Sequence, residues 1–194
     1  MSAWIAHAVC SPCNGWLNKH IEGPAQRVGL PKMVDPFLDP NVVFRIRPID
    51  QRPLAAWAAK VVLLFPYIDT RNPRRSDPRQ LRALRRFPRP PRGSRVWIGA
   101  FAGRAGEDYV RLWDSGDRIN SPTGPIRHFV FYMGHVAFRV ALGPYRSPYP
   151  PPAGDPRKGP WFRIWPPAHR TLIFPTPPMD NGYLAADASS IPTP

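Results

Sequence analysis

Apolar and polar positions along the chain change period several times. Residues 54–65 are apolar nearly all round, with Lys60 as the one charge, and Pro66 follows. Proline suits a first helical turn, so Pro53 predicts the start of a helix that runs to Phe65 and is buried on every side. From Pro78 to Phe87 the pattern is amphipathic. On a helical wheel Arg75, Arg79, Arg82 and Arg86 fall within about 60° of one another, and Leu81, Leu84 and Phe87 lie opposite. Ser76 or Asp77 is placed to cap this second helix, and the run 88–92 ends it.

After Arg95 the period becomes two. Val96, Ile98 and Ala100 alternate with Trp97, Gly99 and Phe101, and Tyr109, Arg111 and Trp113 alternate with Val110 and Leu112. The spacing of these two runs predicts a hairpin. Val136, Phe138, Val140 and Leu142 alternate with Ala137, Arg139 and Ala141, which predicts a strand, with a buried helix over 128–142 as the alternative. Residues 129–133, 161–165 and 171–174 supply further short strands, and 42–46 an edge strand. The expected fold class is α+β: a small antiparallel sheet or partial barrel over about 95–175, two short helices, and long proline-rich extended arms.

Proline sharpens the boundaries. The chain has 194 residues and 29 prolines, against a usual share of about 5%. Pro24, Pro31, Pro36, Pro40, Pro48 and Pro53 predict an extended arm over 24–53. Seven more lie in 144–160, and the tail 176–194 is again rich in proline, alanine and serine. The resulting division is an apolar N-terminal segment 1–23 with a Cys-x2-Cys pair, an arm 24–53, a basic helical segment 54–93, a β-rich core 94–175 and a tail 176–194.

Length and sign of charge exclude other classes. Glu and Lys, the commonest surface helix formers, total only six, and proline breaks helices, so long helices cannot dominate, and coiled coils and helical solenoids are excluded. With 43% hydrophobic and 12% aromatic residues the chain is too apolar to be wholly disordered. Residues 54–65 span only about 18 Å as a helix, short of a bilayer core of about 30 Å, and 129–142 carries His135 and Arg139. No secretory leader is expected from the first thirty residues.

The net charge is +14. Ten arginines and one acid, Asp77, lie between Arg71 and Arg95, giving +9 of that total. Arg74, Arg75, Arg79, Arg82, Arg85, Arg86, Arg89 and Arg92 are the candidate contacts to an anion. Such a block can neutralise phosphates in RNA, with Trp97 and Phe101 available to stack on bases, or meet anionic lipid head groups or acidic protein. Arginine suits either task through its planar, bidentate guanidinium.

His7, Cys10, Cys13 and His20 form the other candidate site. Four N or S ligands satisfy one structural zinc, although the spacing is cramped. The alternatives are free thiols beside surface histidines, or a redox pair, since Cys10-Ser11-Pro12-Cys13 has the Cys-x-Pro-Cys form of thioredoxin-like sites. No phosphate-binding loop or nucleophile motif is present. His128, His135 and His169 read as packed or surface histidines, and Asp114-Ser115-Gly116-Asp117 as a turn.

The composition, with Arg and aromatics over Lys and Glu, is the bias of protein interfaces. It is similar to that of supernumerary subunits of organellar respiratory complexes and organellar ribosomes. The expected function is a non-catalytic accessory subunit of a large assembly, membrane-associated and mitochondrial rather than secreted. Its partners would be neighbouring protein subunits, with residues 24–50 and 144–194 wrapping them. The alternatives are an RNA-binding or organellar ribosomal protein and a small enzyme on a β-rich scaffold.

Overall fold

A computed structural model describes residues 9–35, 42–67, 78–101, 110–114, 119–121, 124–143 and 161–174. The N-terminal part is helical: α1 (Ser11–Leu17), a π-helical turn (Asn18–Glu22), α2 (Gly23–Arg27) and α3 (Leu30–Met33). The long helix α4 (Pro48–Leu64) and the shorter α5 (Pro78–Arg86) follow. The strands are β1 (Phe44–Ile46), β2 (Arg95–Ala100), β3 (Val110–Asp114), β4 (Ile119–Ser121), β5 (Gly124–Met133), β6 (Val136–Leu142), β7 (Phe162–Trp165) and β8 (Leu172–Phe174). The protein is therefore α+β with two small antiparallel sheets.

The larger sheet runs β3-β5-β6-β2-β7, and β4 pairs with β5 beyond the end of β3. Segment 128–142 is strand, not helix: β5 and β6 form a hairpin closed by Gly134 and His135, with Met133 opposite Val136. The hairpin expected between β2 and β3 does not form. β2 lies between β6 and β7, and β3 pairs with β5 at the far edge. Alternation told the two faces of β2 and β6 correctly, but sequence proximity did not decide the neighbours of β2.

One face of this sheet packs on α4. Val96, Ile98, Phe129, Phe131, Val136, Phe138 and Val140 share a core with Leu54, Trp57, Val62 and Leu63. The Trp57 ring lies 6.0 Å from Phe131 and 5.4 Å from Phe138, tilted to both, an arrangement aromatic pairs favour. The opposite face is buried too and holds Trp97, Phe101, Val130, Tyr132, Ala137 and Trp161. Trp97 and Phe101 therefore cannot stack on bases from solvent, and Phe101 stacks instead on Tyr132 at 3.9 Å.

The prolines act differently from the expected extended arm over 24–53. Pro24, Pro31 and Pro48 occupy first turns of α2, α3 and α4, where a missing N–H costs nothing. α4 thus begins five residues before Pro53, which sits inside it. Ala25, Leu30, Met33, Val34 and Ile46 are buried in the chain's own core, so these parts of 24–50 pack on the chain itself. The expected wrapping segments 144–160 and 175–194 lie outside the described residues.

Polar side chains secure the start of α4. Arg47 is its N-cap, and its backbone N–H donates to Asp50 Oδ2 at 3.1 Å. The Arg47 guanidinium also grips Asp50 through Nε and Nη2 at 2.8 and 3.1 Å, and this holds the Asp50 carboxyl below its ordinary pKa. The buried Gln51 accepts from Ala168 N at 2.6 Å and donates to Arg170 O at 2.9 Å. It fastens the segment between β7 and β8 to the helix. β1 and β8 complete a second, two-stranded sheet, with Phe44 against Phe174 at 6.2 Å.

Candidate anion-binding surface and thiol pair

α5 forms as its pattern dictates. Leu84 is buried against α4, Leu81 is partly buried, and Arg79, Arg82, Arg85 and Arg86 are exposed. Phe87, expected on the apolar side, lies instead 45% exposed where the helix ends. It is flanked by the guanidinium groups of Arg86 and Arg89, 5.3 and 5.0 Å from its ring centre. These cation–π contacts order the two arginines side by side on the surface.

The segment after α5 is pinned rather than loose. Pro90, Pro91 and Gly93 are buried while Arg89 and Arg92 point to solvent. Gly93 has φ +93°, which permits the turn that leads into β2, and Ser94 N donates to Pro91 O at 3.0 Å. Six of the eight predicted arginines are thus exposed on one short stretch. Arg74 and Arg75 lie outside the described residues.

Arg85 connects this surface to the N-terminal segment. Its Nη1 lies 3.6 Å from Cys13 Sγ. Cys10, the residue that precedes α1, is exposed, and Cys13 is half-buried; both are free thiols. Hydrogen bonding from the Cys13 thiol and backbone N–H lowers the Cys10 pKa below that of an ordinary thiol. Donation to Cys10 in turn holds the Cys13 proton more tightly and raises its pKa.

The rest of the predicted zinc set does not gather. His20 is seven residues beyond Cys13, about 10 Å along a helix, and stacks on Trp16 with ring centres 4.7 Å apart. Among the described residues no three His, Cys, Asp or Glu side chains lie together as metal ligands. His7 lies outside the described residues.

Two charged arrangements escaped the sequence reading. Lys60, fully buried in α4, donates to the Glu22 carboxylate at the end of the π-helical turn. On the second face of the sheet the buried Arg139 Nε donates to His128 Nε2 at 2.5 Å, and its guanidinium lies 5.5 Å from the Trp97 ring centre. Burial, then the Arg139 charge, pushes the His128 pKa well below its ordinary value. A lone cation inside an apolar run, as at positions 60 and 139, was the available signal, but it does not name the partner.

No protein family, curated protein or solved structure matches the chain. Among the described residues no helix is long and apolar enough to cross a membrane.

Proposed function

We propose that the protein is a non-catalytic accessory subunit of a large assembly, seated on an anionic surface through the arginines of α5 and the segment after it. One observation carries this reading. Arg79, Arg82, Arg85, Arg86, Arg89 and Arg92 are all exposed while Leu84, Pro90 and Pro91 hold the same stretch onto the fold. A rigid array of guanidinium groups loses little side-chain freedom on meeting phosphates or carboxylates. The apolar surface at the other sheet adds support. Val43, just before β1, and Ile173 in β8 are 62% and 59% exposed, and Ile49 in the first turn of α4 is 74% exposed.

The membrane-associated, mitochondrial setting is part of the proposal and rests on composition. An RNA-facing role is the second reading, and it draws on the same arginine array. Size-exclusion chromatography of a native extract tests the main reading. The protein is expected to elute in a particle several times larger than its own 21.9 kDa. Elution as a monomer would overturn it. If nuclease treatment alone releases the chain, the RNA reading replaces it.

A further inference from the structure

The thiol pair beside Arg85 has chemistry that the accessory role does not use. Cys10 occupies the N-cap position of α1 and Cys13 the third helical position. That is the spacing at which a cap side chain and the third helical residue meet in a capping box, and it suits the short Cα separation a disulfide needs. Leu17 is buried and Asn14 N donates to Cys10 O at 2.9 Å, so the first turn is held in place. A structural thiol is buried and inert, whereas Cys10 is open to solvent. Arg85 on Cys13 Sγ, with Arg82 exposed one turn earlier, makes the approach positive.

We propose that Cys10 and Cys13 are a redox-active dithiol that exchanges with anionic low-molecular-weight disulfides of the glutathione type. In the first step the Cys10 thiolate attacks one sulfur of glutathione disulfide. An S–S bond forms to Cys10, the original S–S bond breaks, and one glutathione thiolate leaves. In the second step Cys13 loses its proton to solvent and its sulfur attacks Cys10 Sγ. The Cys10–Cys13 disulfide forms and the second glutathione leaves. The two cysteines are oxidised by two electrons, and one glutathione disulfide is reduced to two thiols. The net negative charge of glutathione disulfide suits the arginine-lined approach. Arg85 is a positioning residue in this scheme, since it steadies the developing Cys13 thiolate in the second step.

The test uses the full chain, reduced and treated with chelator, then mixed with glutathione disulfide and followed by intact mass. The wild-type protein is expected to lose two hydrogens and retain no glutathione. Cys13→Ser should retain one glutathione, on Cys10. Cys10→Ser should react roughly tenfold more slowly, because Cys13 is less accessible. Arg85→Gln should slow the first step about twofold, by weakening the positive approach, and lengthen the life of the mixed disulfide by about threefold, with Arg85→Lys restoring part of both rates. Retained glutathione on the wild-type chain would overturn the proposal. So would equal reaction at both cysteines, a rate no faster than in the urea-unfolded chain, or one co-purifying zinc per chain that blocks both thiols.

Discussion

Lys60 reaches back to Glu22, and this ion pair joins the middle of α4 to the N-terminal helical segment. The ammonium is buried and the carboxylate keeps partial access to water. A buried cation is tolerated only with a partner, and removing that partner leaves the charge stranded.

Glu22→Ala is therefore expected to destabilise the protein by roughly 2–4 kcal/mol, since it strands the Lys60 charge. Lys60→Met combined with Glu22→Gln should recover most of that loss, because the methionine fills the same volume without a charge to solvate. Urea unfolding of the two variants gives the comparison. A double variant less stable than Glu22→Ala would contradict the account.

Gly134 turns β5 into β6 with φ +57°, and a Cβ there would sit 2.3 Å from the Val34 carbonyl oxygen. Backbone cannot move aside as a flexible side chain does. Gly134→Ala is expected to lower stability by about 2 kcal/mol or more through strain and clash together. Gly15, inside α1, has open space around its Cα. Gly15→Ala should instead stabilise by about 0.5–1 kcal/mol. Thermal unfolding distinguishes the two signs.

Acid should weaken the fold through His128. Its folded-state pKa lies well below the ordinary value, so the unfolded chain takes up a proton that the folded chain refuses. Stability is full above the ordinary histidine pKa of about 6.5 and falls below it by up to about 1.4 kcal/mol per pH unit, until the depressed folded value is reached. Asp50 acts in the same direction in a more acidic window. Its lowered pKa contributes stability above the ordinary aspartate range, and that contribution is lost as pH falls through the folded value. His128→Gln, which keeps an acceptor for Arg139, should flatten the first slope and leave the second. Unfolding midpoints measured from neutral pH down to below the ordinary aspartate range decide this.

Arg82, Arg86 and Arg89 are exposed, and their contacts, Arg82 Nε to Pro78 O at 3.4 Å and the Arg86 and Arg89 guanidinium groups on the exposed Phe87, lie at the surface. Replacing all three with glutamine should change stability by no more than about 0.5 kcal/mol per site. Binding to a polyanion such as heparin should weaken, and the logarithmic salt slope should fall by about two to three. Leu84→Ala gives the reverse pattern, with a loss of about 2–4 kcal/mol from the α4–α5 contact and the arginines intact.

Local pattern alone settled the faces of the elements. The arginine side of α5, the apolar girth of α4 and the alternation of β6 all follow from residue spacing, because a side chain's direction within one helix or strand depends on its own backbone. The exposed arginine array was legible in this way. So was the proximity of Cys10 and Cys13, which needs only three residues of chain.

Tertiary structure decided what pairs with what. β2 joined β6 and β7 rather than its sequence neighbour β3, since strand order depends on how both sheet faces are buried, not on loop length. Pro24, Pro31 and Pro48 became helix starts instead of parts of an extended arm, because the surrounding core rewards helices that bury Ala25, Leu30 and Met33. Lys60 found Glu22, Arg139 found His128 and Arg85 reached Cys13 across 38, 11 and 72 residues of chain. A burial cost is visible in sequence as a cation in an apolar run; the group that offsets it is chosen only when distant segments close on one another.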